Sequence, residues 1–190
     1  RDAQESRGLG DVYKRQITDV EKAFAPLGLP MGPFQLIDLV GWKVAAHVQD
    51  TMAHAFPDRF YANENFHALA ELDAVVEKDK GGRVTGWTKQ AEKLLRPAVG
   101  KTPASAETIL QRVQDGLASE IKLMLDEGVV PEVEDIDLCL ILGAGWPFID
   151  GGASPYLDRE GASQRAFGGE FHTPQIRGIE NRLSLIHISE

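Results

Sequence analysis

The sequence predicts an all-α fold, and three observations support this. Apolar residues recur at spacings of three and four, strand signals are weak throughout, and Pro and Gly fall where helices begin and end. Of the 190 residues, 43% are hydrophobic and 26% are charged, which is typical of globular proteins and argues against disorder of the whole chain. The length fits one domain, or two small subdomains that share a core.

Charge and cysteine content exclude several classes of function. The formal net charge of −9 argues against a nucleic-acid partner, because binding phosphates requires a basic face. Cys139 is the only cysteine, so we expect no intrachain disulfide, a reducing cytoplasmic location and a small packed thiol on the apolar side of a helix. No apolar run approaches the ~18 residues that a membrane span needs.

The two ends differ from the rest of the chain. Residues 1–16 have no periodic apolar pattern, and residues 182–190 carry only a short alternating run. Both resemble translated adapter or assembly read-through, so we expect them to be non-native and the gene to be truncated at both sides. The alternative is that the apolar residues between Leu183 and Ile188 form a genuine terminal strand or helix turn.

Two apolar stripes predict the longest helices. Pro33 suits the first turn of a helix, because its missing N–H has no helical partner there. The stripe that follows ends before Pro57 and consists of Ile37, Val40, Val44, Val48, Met52 and Ala55. Ser105 is a good cap for the second helix. Its predicted buried face ends before Gly128 and consists of Ile109, Val113, Leu117, Ile121 and Met124.

Shorter helices are predicted around these two. They cover residues 18–26, 65–72, 88–95, 134–142, 155–159 and 161–167. The Asp79–Gly82 stretch predicts a turn.

The chain contains an internal repeat. Aligning Pro30 with Pro147, an offset of 117, also superposes Gly28 on Gly145. In both places a short acidic helix, a G-x-P turn and a second acidic helix follow in the same order. Chance alone is a poor explanation for this order occurring twice.

Beyond the turn the repeat continues with a shifted offset. Leu36-Ile37-Asp38 aligns with Tyr156-Leu157-Asp158 at an offset of 120, which implies three inserted residues in the second copy. We therefore predict two homologous helical halves packed on each other, residues 17–104 and residues 105–181.

The first turn resembles the C-terminal domain of the 3-hydroxyacyl-CoA dehydrogenase family. That family carries L-G-x-G-[YFW]-P-M-G-P-F-x-L-x-D-x-V-G, and Pro26–Gly41 reads P-L-G-L-P-M-G-P-F-Q-L-I-D-L-V-G, one residue shorter before Pro30. Leu142–Phe148 reads L-G-A-G-W-P-F and then departs from the pattern. Two tandem copies resemble the long bacterial form, the alpha subunit of the multifunctional fatty-acid oxidation complex. The resemblance covers roughly residues 17–170.

This resemblance implies a fold, an activity and partners. The fold would be the 6-phosphogluconate dehydrogenase C-terminal-like arrangement of two related helical halves. The activity would be NAD-dependent oxidation of an L-3-hydroxyacyl-CoA in fatty-acid β-oxidation. Implied partners are the acyl-CoA substrate, the missing NAD-binding domain of the same polypeptide and a thiolase beta subunit.

The resemblance also implies that this chain is inactive alone. In the family a preceding Rossmann domain binds NAD and carries the catalytic His–Glu pair. Here Gly8-Leu9-Gly10 and Gly143-Ala144-Gly145 lack the third glycine of a dinucleotide fingerprint. We therefore expect NAD in the intact parent, no cofactor bound by this chain, and no catalytic residue within it.

The segment after the first turn holds the candidate site residues. In the family this region approaches the acyl chain of the substrate, which implies substrate-lining roles for Met31, Gly32, Pro33, Phe34 and Leu36. The alternative is that Met31 and Phe34 are core residues. The corresponding Trp146-Pro147-Phe148 turn is predicted to lie in the core or at an interface.

A metal site and two rival functions were also considered. His47 and His54 lie seven residues apart on one predicted helix, yet no carboxylate or cysteine stands at ligand spacing, so we predict no metal site. The rival functions are a non-catalytic helical interaction module and the helical domain of another β-hydroxyacid dehydrogenase.

Overall fold

A computed structural model describes residues 17–95 and 105–172 of the chain. They fall into two compact units. The first contains the residues up to Ala25 together with Met31–Ile109, and the second contains Pro26–Pro30 and the residues from Leu110 onward. Both ends predicted to be non-native, and the Gly8–Gly10 string, lie outside the described residues.

The described residues are predominantly helical, which confirms the all-α class. The α-helices are α1 Ile17–Phe24, α2 Pro33–Val40, α3 Trp42–Ala55, α4 Glu64–Ala70, α5 Lys89–Leu94, α6 Ala106–Asp126, α7 Val133–Cys139, α8 Ala153–Arg159 and α9 Ala162–Phe167. Short 3-10 turns cover Ala25–Leu27 and Phe148–Asp150, and a wider π-type turn covers Leu140–Ala144. No helix of the described ranges is long and apolar enough to cross a membrane.

A small β-hairpin is the exception to the helical pattern. Strands β1 Val76–Lys78 and β2 Val84–Trp87 pair antiparallel. The predicted turn at residues 79–82 joins them, and Asp79 Oδ1 accepts from the backbone N–H groups of Gly81 and Arg83 at 2.8 and 2.9 Å. The sequence missed these strands because three or four residues are too few to show an alternating pattern.

The helix predicted from Pro33 to Pro57 is broken in the structure. Gly41 adopts φ 104°, which is unfavourable for other residues, and separates α2 from α3. Its N–H still donates to the Ile37 carbonyl at 2.8 Å. The prediction of a single helix was therefore wrong, because the apolar spacing continues across a glycine that bends the backbone.

Aromatic rings fill the core of the first unit. Phe34 contacts Trp42 and Trp87 at centroid distances of 6.4 and 5.0 Å, and Trp42 contacts Phe66 at 5.4 Å. All four side chains are buried, as is Leu69 from α4. These rings hold α2, α3, α4 and β2 together.

Helix α6 begins in the first unit, and its residues from Leu110 onward belong with α8 to the second unit. Ser105 caps α6 as predicted, since its Oγ accepts from the Thr108 N–H at 3.1 Å. Buried Gln114 donates to the Tyr156 hydroxyl at 2.7 Å. Trp146 is buried and contacts Tyr156 edge to face at 5.6 Å, which places the tryptophan of the second turn in the core.

Two expectations in this part of the chain were wrong. The predicted buried face of α6 is correct at Ile109 and Ile121, which are buried, but is wrong between them. There Gln114 and Ala118 are buried, whereas the predicted Val113, Leu117 and Met124 are only half-buried. Apolar residues stand at several adjacent positions around α6, so the periodicity alone did not determine which face of the helix is turned toward the core. The Cys139 thiol is exposed and does not pack on an apolar face.

The two G-x-P turns pack against each other. Gly28 and Gly145 both adopt left-handed φ values, 65° and 72°. A Cβ added to Gly28 would lie 2.7 Å from Pro147 Cγ, and one added to Gly145 would lie 3.0 Å from Pro30 Cγ. Each glycine therefore leaves room for the proline of the other turn, and the reciprocal arrangement supports the repeat inferred from the sequence.

Candidate functional site

An apolar groove runs along α2 and α3 of the first unit. It has a volume of about 390 Å³. Helices α2 and α3 form one wall and the segment after α3 forms the other. The lining residues are Leu36, Ile37, Val40, Val44, Ala45, Val48, Gln49, Met52, Arg59, Phe60, Tyr61 and Phe66.

The predicted apolar stripe forms the α2–α3 wall of this groove. Val40, Val44 and Val48 are 53%, 50% and 52% exposed. Val44 and Val48 lie four residues apart on one face of α3, and Val40 lies at the end of α2, before the break at Gly41. The core takes a different face, through Trp42 and Ala46. The stripe is therefore apolar without being covered, which is typical of a ligand or partner surface.

Hydrogen bonds fix the opposite wall. Gln49 Oε1 accepts from the Asn63 N–H at 2.9 Å and so ties the segment after α3 back to that helix. Asn63 in turn caps α4, its Oδ1 accepting from the Asn65 N–H at 2.9 Å. Phe66 at the base of the groove is buried against Trp42. The two walls thus belong to one packed structure.

One guanidinium stands in the opposite wall. The Arg59 Cζ lies 5.0 Å from the Phe56 ring centroid and 5.9 Å from that of Phe60. Both distances are within the range of cation–π attraction. The Arg59 and Phe60 N–H groups both donate to the Phe56 carbonyl, at 3.0 and 2.9 Å. The positive charge is therefore held by a tight turn and two rings.

A carboxylate positions the start of α2. Glu21 Oε1 accepts from the N–H groups of Phe34 and Gln35 at 2.8 and 3.2 Å, which satisfies donors that a helix N-terminus leaves open. Burial raises the pKa of Glu21, and the two backbone hydrogen bonds act in the opposite direction. This cap fixes the direction in which α2 carries Leu36 to the groove.

The structure separates the five predicted substrate-lining residues. Leu36 is 47% exposed and lines the groove. Phe34 is 1% exposed and belongs to the aromatic core. Gly32 precedes α2 and Pro33 begins it, while Met31 is half-buried just before them. Of the five, only Leu36 contributes to the groove wall, and the substrate-lining roles remain a prediction.

Other groove residues were missed as site residues. Val40, Val44, Val48 and Met52 were recognised only as a helical stripe. Their periodicity carries no information on what covers them. Arg59 and the two following aromatic residues gave no usable signal, because a non-periodic segment brings them to the groove.

The histidines of the first unit are exposed. His47 and His54 lie on the solvent side of α3, and His67 Nε2 lies 2.9 Å from Asp50 Oδ1. In residues 17–95 and 105–172, no group of three or more His, Cys, Asp or Glu side chains is arranged to hold a metal ion.

The Gly143-Ala144-Gly145 string has a structural explanation. It lies in the wide turn that ends the α7 segment, and left-handed Gly145 donates its N–H to the Leu140 carbonyl. A dinucleotide site needs its glycines between a β-strand and a helix N-terminus. The described residues therefore do not fit NAD at this string.

Two comparisons with known proteins bear on this site. Residues 10–86 match the family model described as 3-hydroxyacyl-CoA dehydrogenase, C-terminal domain. The match includes the groove residues and also residues 10–16, part of the end predicted to be non-native; the boundary of that end stays a prediction.

A curated relative extends the comparison. The fatty acid oxidation complex subunit alpha of Pseudomonas syringae pv. tomato is 29% identical over 163 residues, which cover 76% of this chain and 22% of that protein. The chain thus spans about a fifth of the length of this relative. Both matches confirm the resemblance carried by the first turn: residues 10–86 are similar to the C-terminal domain of the 3-hydroxyacyl-CoA dehydrogenase family.

Proposed function

We propose that this chain is the substrate-lining and assembly part of an NAD-dependent L-3-hydroxyacyl-CoA dehydrogenase that acts in cytoplasmic fatty-acid β-oxidation. The groove beside the L-P-M-G-P-F segment is the observation that carries the proposal. Leu36 enters its wall two residues after the end of that segment, and three half-exposed valines continue the wall.

The chemistry of the groove suits an acyl chain. Its α2–α3 wall consists mainly of aliphatic side chains. Each methylene group moved from water into such surroundings contributes about 0.8 kcal/mol. Binding would therefore strengthen with chain length until the groove is filled. The role of these residues is to bind and orient the chain and to exclude water from it.

Hydride transfer is assigned to another part of the intact protein. When bound there, NAD supplies the hydride acceptor, and this chain offers no dinucleotide fingerprint in its 190 residues. We therefore propose that the NAD-binding domain of the same polypeptide is the immediate partner. By itself the chain is proposed to be inactive.

An assembly role is proposed for the second unit. Leu142, Phe148 and Ile149 are 77%, 83% and 77% exposed, and large apolar side chains at such exposure favour a contact surface. A thiolase beta subunit is the partner that we propose for it, since the curated relative is named as a subunit of a complex.

A complementation assay tests the substrate-lining role. The chain is mixed with a separately expressed NAD-binding domain of the family, and NAD reduction is followed with short and long 3-hydroxyacyl-CoA substrates. Leu36→Ala should lower kcat/KM for long-chain substrates by a factor that corresponds to about 1–3 kcal/mol of lost apolar contact. It should leave kcat/KM for short-chain substrates unchanged. Leu39→Ala is the matched control, because Leu39 is 68% exposed on the same helix and does not line the groove.

Three results would contradict the proposal. Equal losses for short and long substrates would give Leu36 a structural role only. The same larger loss for long-chain substrates in Leu39→Ala would show that the effect does not arise from the groove. Turnover by the chain without the NAD-binding domain would show that its assigned inactivity is wrong.

A further inference from the structure

The turn after the second G-x-P motif is longer than its counterpart in the first copy. Two residues separate Pro30 from Pro33. In the second copy five residues, Phe148–Gly152, separate Pro147 from Ala153. The three residues by which the second copy is longer therefore fall within Phe148–Gly152, which we call the inserted turn. Because the first copy makes the same connection without them, the repeat alone does not explain why the inserted turn is there.

The inserted turn exposes two large apolar side chains. Phe148 and Ile149 are 83% and 77% exposed, so neither belongs to the core of the second unit. Leu138 and Leu142 from the preceding helical segment are exposed as well. Folding gains almost nothing from an apolar side chain that stays in water, whereas exposed apolar side chains that lie together are typical of an interaction surface.

The inserted turn lies beside that helical segment. The backbone N–H of Trp146, just before the turn, donates to the Leu140 carbonyl at 3.1 Å. At the other end of the turn, a Cβ added to Gly152 would lie 2.5 Å from Asp137 Cγ. The exposed apolar side chains of the segment and of the turn therefore belong to one region of the second unit.

Hydrogen bonds hold the inserted turn in one conformation. The Asp150 N–H donates to the Pro147 carbonyl and the Gly151 N–H donates to the Phe148 carbonyl, both at 3.1 Å. Arg159 donates to the Asp150 carbonyl and to Asp150 Oδ1, at 3.1 and 3.2 Å. Little conformational freedom is left for the turn to lose when it meets a partner, which lowers the cost of association.

The charge around the inserted turn is negative. No Lys or Arg occurs between Leu123 and Asp158, whereas Glu132 and Asp135 are exposed at the start of α7. A second copy of the chain in a two-fold dimer would bring the same negative face against itself, and anionic lipid headgroups would be repelled in the same way. A protein partner that carries Lys or Arg around an apolar pocket is complementary to this face.

We propose that the inserted turn is the central contact of a protein interface, in which Phe148 and Ile149 enter an apolar pocket surrounded by basic side chains of the partner. Buried apolar anchors at the centre of an interface carry most of its binding free energy, while the surrounding charges mainly set the association rate. The inference deepens the assembly role proposed for the second unit and rests on it, so the partner is the thiolase beta subunit.

Binding of the 190-residue chain to the thiolase beta subunit of a bacterial fatty-acid oxidation complex tests the inference. Surface plasmon resonance gives both rate constants for the wild type and for each variant. Phe148→Ser should weaken binding about tenfold or more, mainly through faster dissociation, and Ile149→Ser should have a smaller effect in the same direction. Leu39→Ser is the matched control, because Leu39 is 68% exposed in the first unit, and it should bind like the wild type.

Charge reversal tests the chemistry of the partner. Asp135→Lys should slow association about three- to tenfold, because it removes attraction to a basic surface. Glu77→Lys makes the same change at an exposed position of β1 in the first unit and should alter the association rate much less. Added salt should slow association of the wild type, since it screens the attraction between exposed charges.

Each contrary outcome overturns a different part. Wild-type affinity in Phe148→Ser would overturn the inference and leave the assembly role standing, whereas failure of the wild type to bind the beta subunit would overturn both. Sedimentation velocity of the chain alone tests a second copy: self-association that Phe148→Ser abolishes would overturn the inference. Loss, in the same variant, of binding to a separately expressed NAD-binding domain or to anionic vesicles would also overturn it. An association rate that responds neither to salt nor to Asp135→Lys would reject the basic partner.

Discussion

Glu21 caps the start of α2 and Asp137 caps the start of α8, and the two arrangements correspond closely. Each carboxylate comes from a short helix before a G-x-P turn and accepts a backbone N–H from the helix after it. Phe34 donates to Glu21 and Ser154 donates to Asp137, both at 2.8 Å. Phe34 and Ser154 stand 120 residues apart, the offset that the sequence repeat predicts beyond the turn.

The contacts correct the alignment before the turn. An offset of 117 pairs Glu21 with Leu138, whereas the shared capping role pairs it with Asp137, at 116. One residue of difference therefore falls between the short helix and the turn. The helix break also repeats at the offset of 120, since Gly41 and Gly161 both have positive φ and precede α3 and α9.

Beyond this shared backbone the two capped turns differ in burial. The Ser154 hydroxyl donates to Asp137 Oδ2 at 2.5 Å, and its oxygen lies 2.7 Å from His172 Nε2. Because the hydroxyl has one proton, His172 is left to donate to the Ser154 oxygen. In addition, Asp158 Oδ2 accepts a hydrogen bond from the backbone N–H of His172 at 2.9 Å. These polar groups are all buried.

In the first capped turn the residue that corresponds to Ser154 is the apolar Phe34. Its ring enters the aromatic core, where it contacts Trp42 and Trp87. Helix α2 then leaves Leu36, Leu39 and Val40 exposed, whereas residues 153–158 of α8 are all buried. The same backbone arrangement is thus covered in one copy and open in the other. The repeat therefore determines the backbone arrangement, and a few side chains determine whether the helix after the turn is left exposed as a binding surface.

Gly152→Ala should show the largest difference between the two copies. Its added Cβ would lie 2.5 Å from the buried Asp137 Cγ, at a φ of 129° that alanine disfavours. We expect a loss of about 3–4 kcal/mol in the free energy of unfolding, measured with urea. Gly32→Ala is the matched change: its Cβ would meet the end of the Glu21 side chain at an ordinary φ of −74°. Since Glu21 can swing away, the loss should be about 1 kcal/mol, that of a helix cap. Equal losses would show that the burial difference has no energetic consequence.

Removal of the capping carboxylates should rank next. Asp137→Ala leaves the buried N–H and hydroxyl of Ser154 without their acceptor, so we expect a loss of about 2–3 kcal/mol. Glu21→Ala should cost about 1 kcal/mol, because water can reach the half-buried N-terminus of α2. Thermal and urea unfolding of both variants measure this. A larger loss for Glu21→Ala would reverse the comparison.

The smallest expected effect is a dependence on pH. Burial raises the pKa of Glu21 above its ordinary value of 4.5, so the folded state binds the proton more tightly than the unfolded chain. The contribution of this carboxyl to stability is therefore full below about pH 4.5 and is lost as the pH rises through the raised folded-state pKa. The unfolding free energy of the wild type minus that of Glu21→Gln should fall over this window. Asp137→Asn should show the same direction, since burial raises the pKa of Asp137 as well. A difference that rises with pH would contradict the assigned environment of Glu21.

Much of the fold was accessible from sequence. The short helices lie within a few residues of their predicted positions, and the turn at 79–82 was found from its composition. The break at Gly41 was missed because an apolar stripe continues across it, and the hairpin was missed because its strands are short. The candidate site was predicted less well: Leu36 lines the groove, while Phe34 is in the core.

By itself the sequence determined the helical class, the repeated G-x-P turns and the resemblance to the dehydrogenase family, because these depend on local backbone preferences and on a motif of adjacent residues. The tertiary structure alone decided which apolar face is covered. Periodicity marks a face as apolar, but whether it is buried depends on residues distant in the chain. Trp42 and Val44 are near neighbours on α3, yet one lies in the aromatic core and the other in an open groove. Arg59 reaches that groove only because the segment after α3 folds back against the helix.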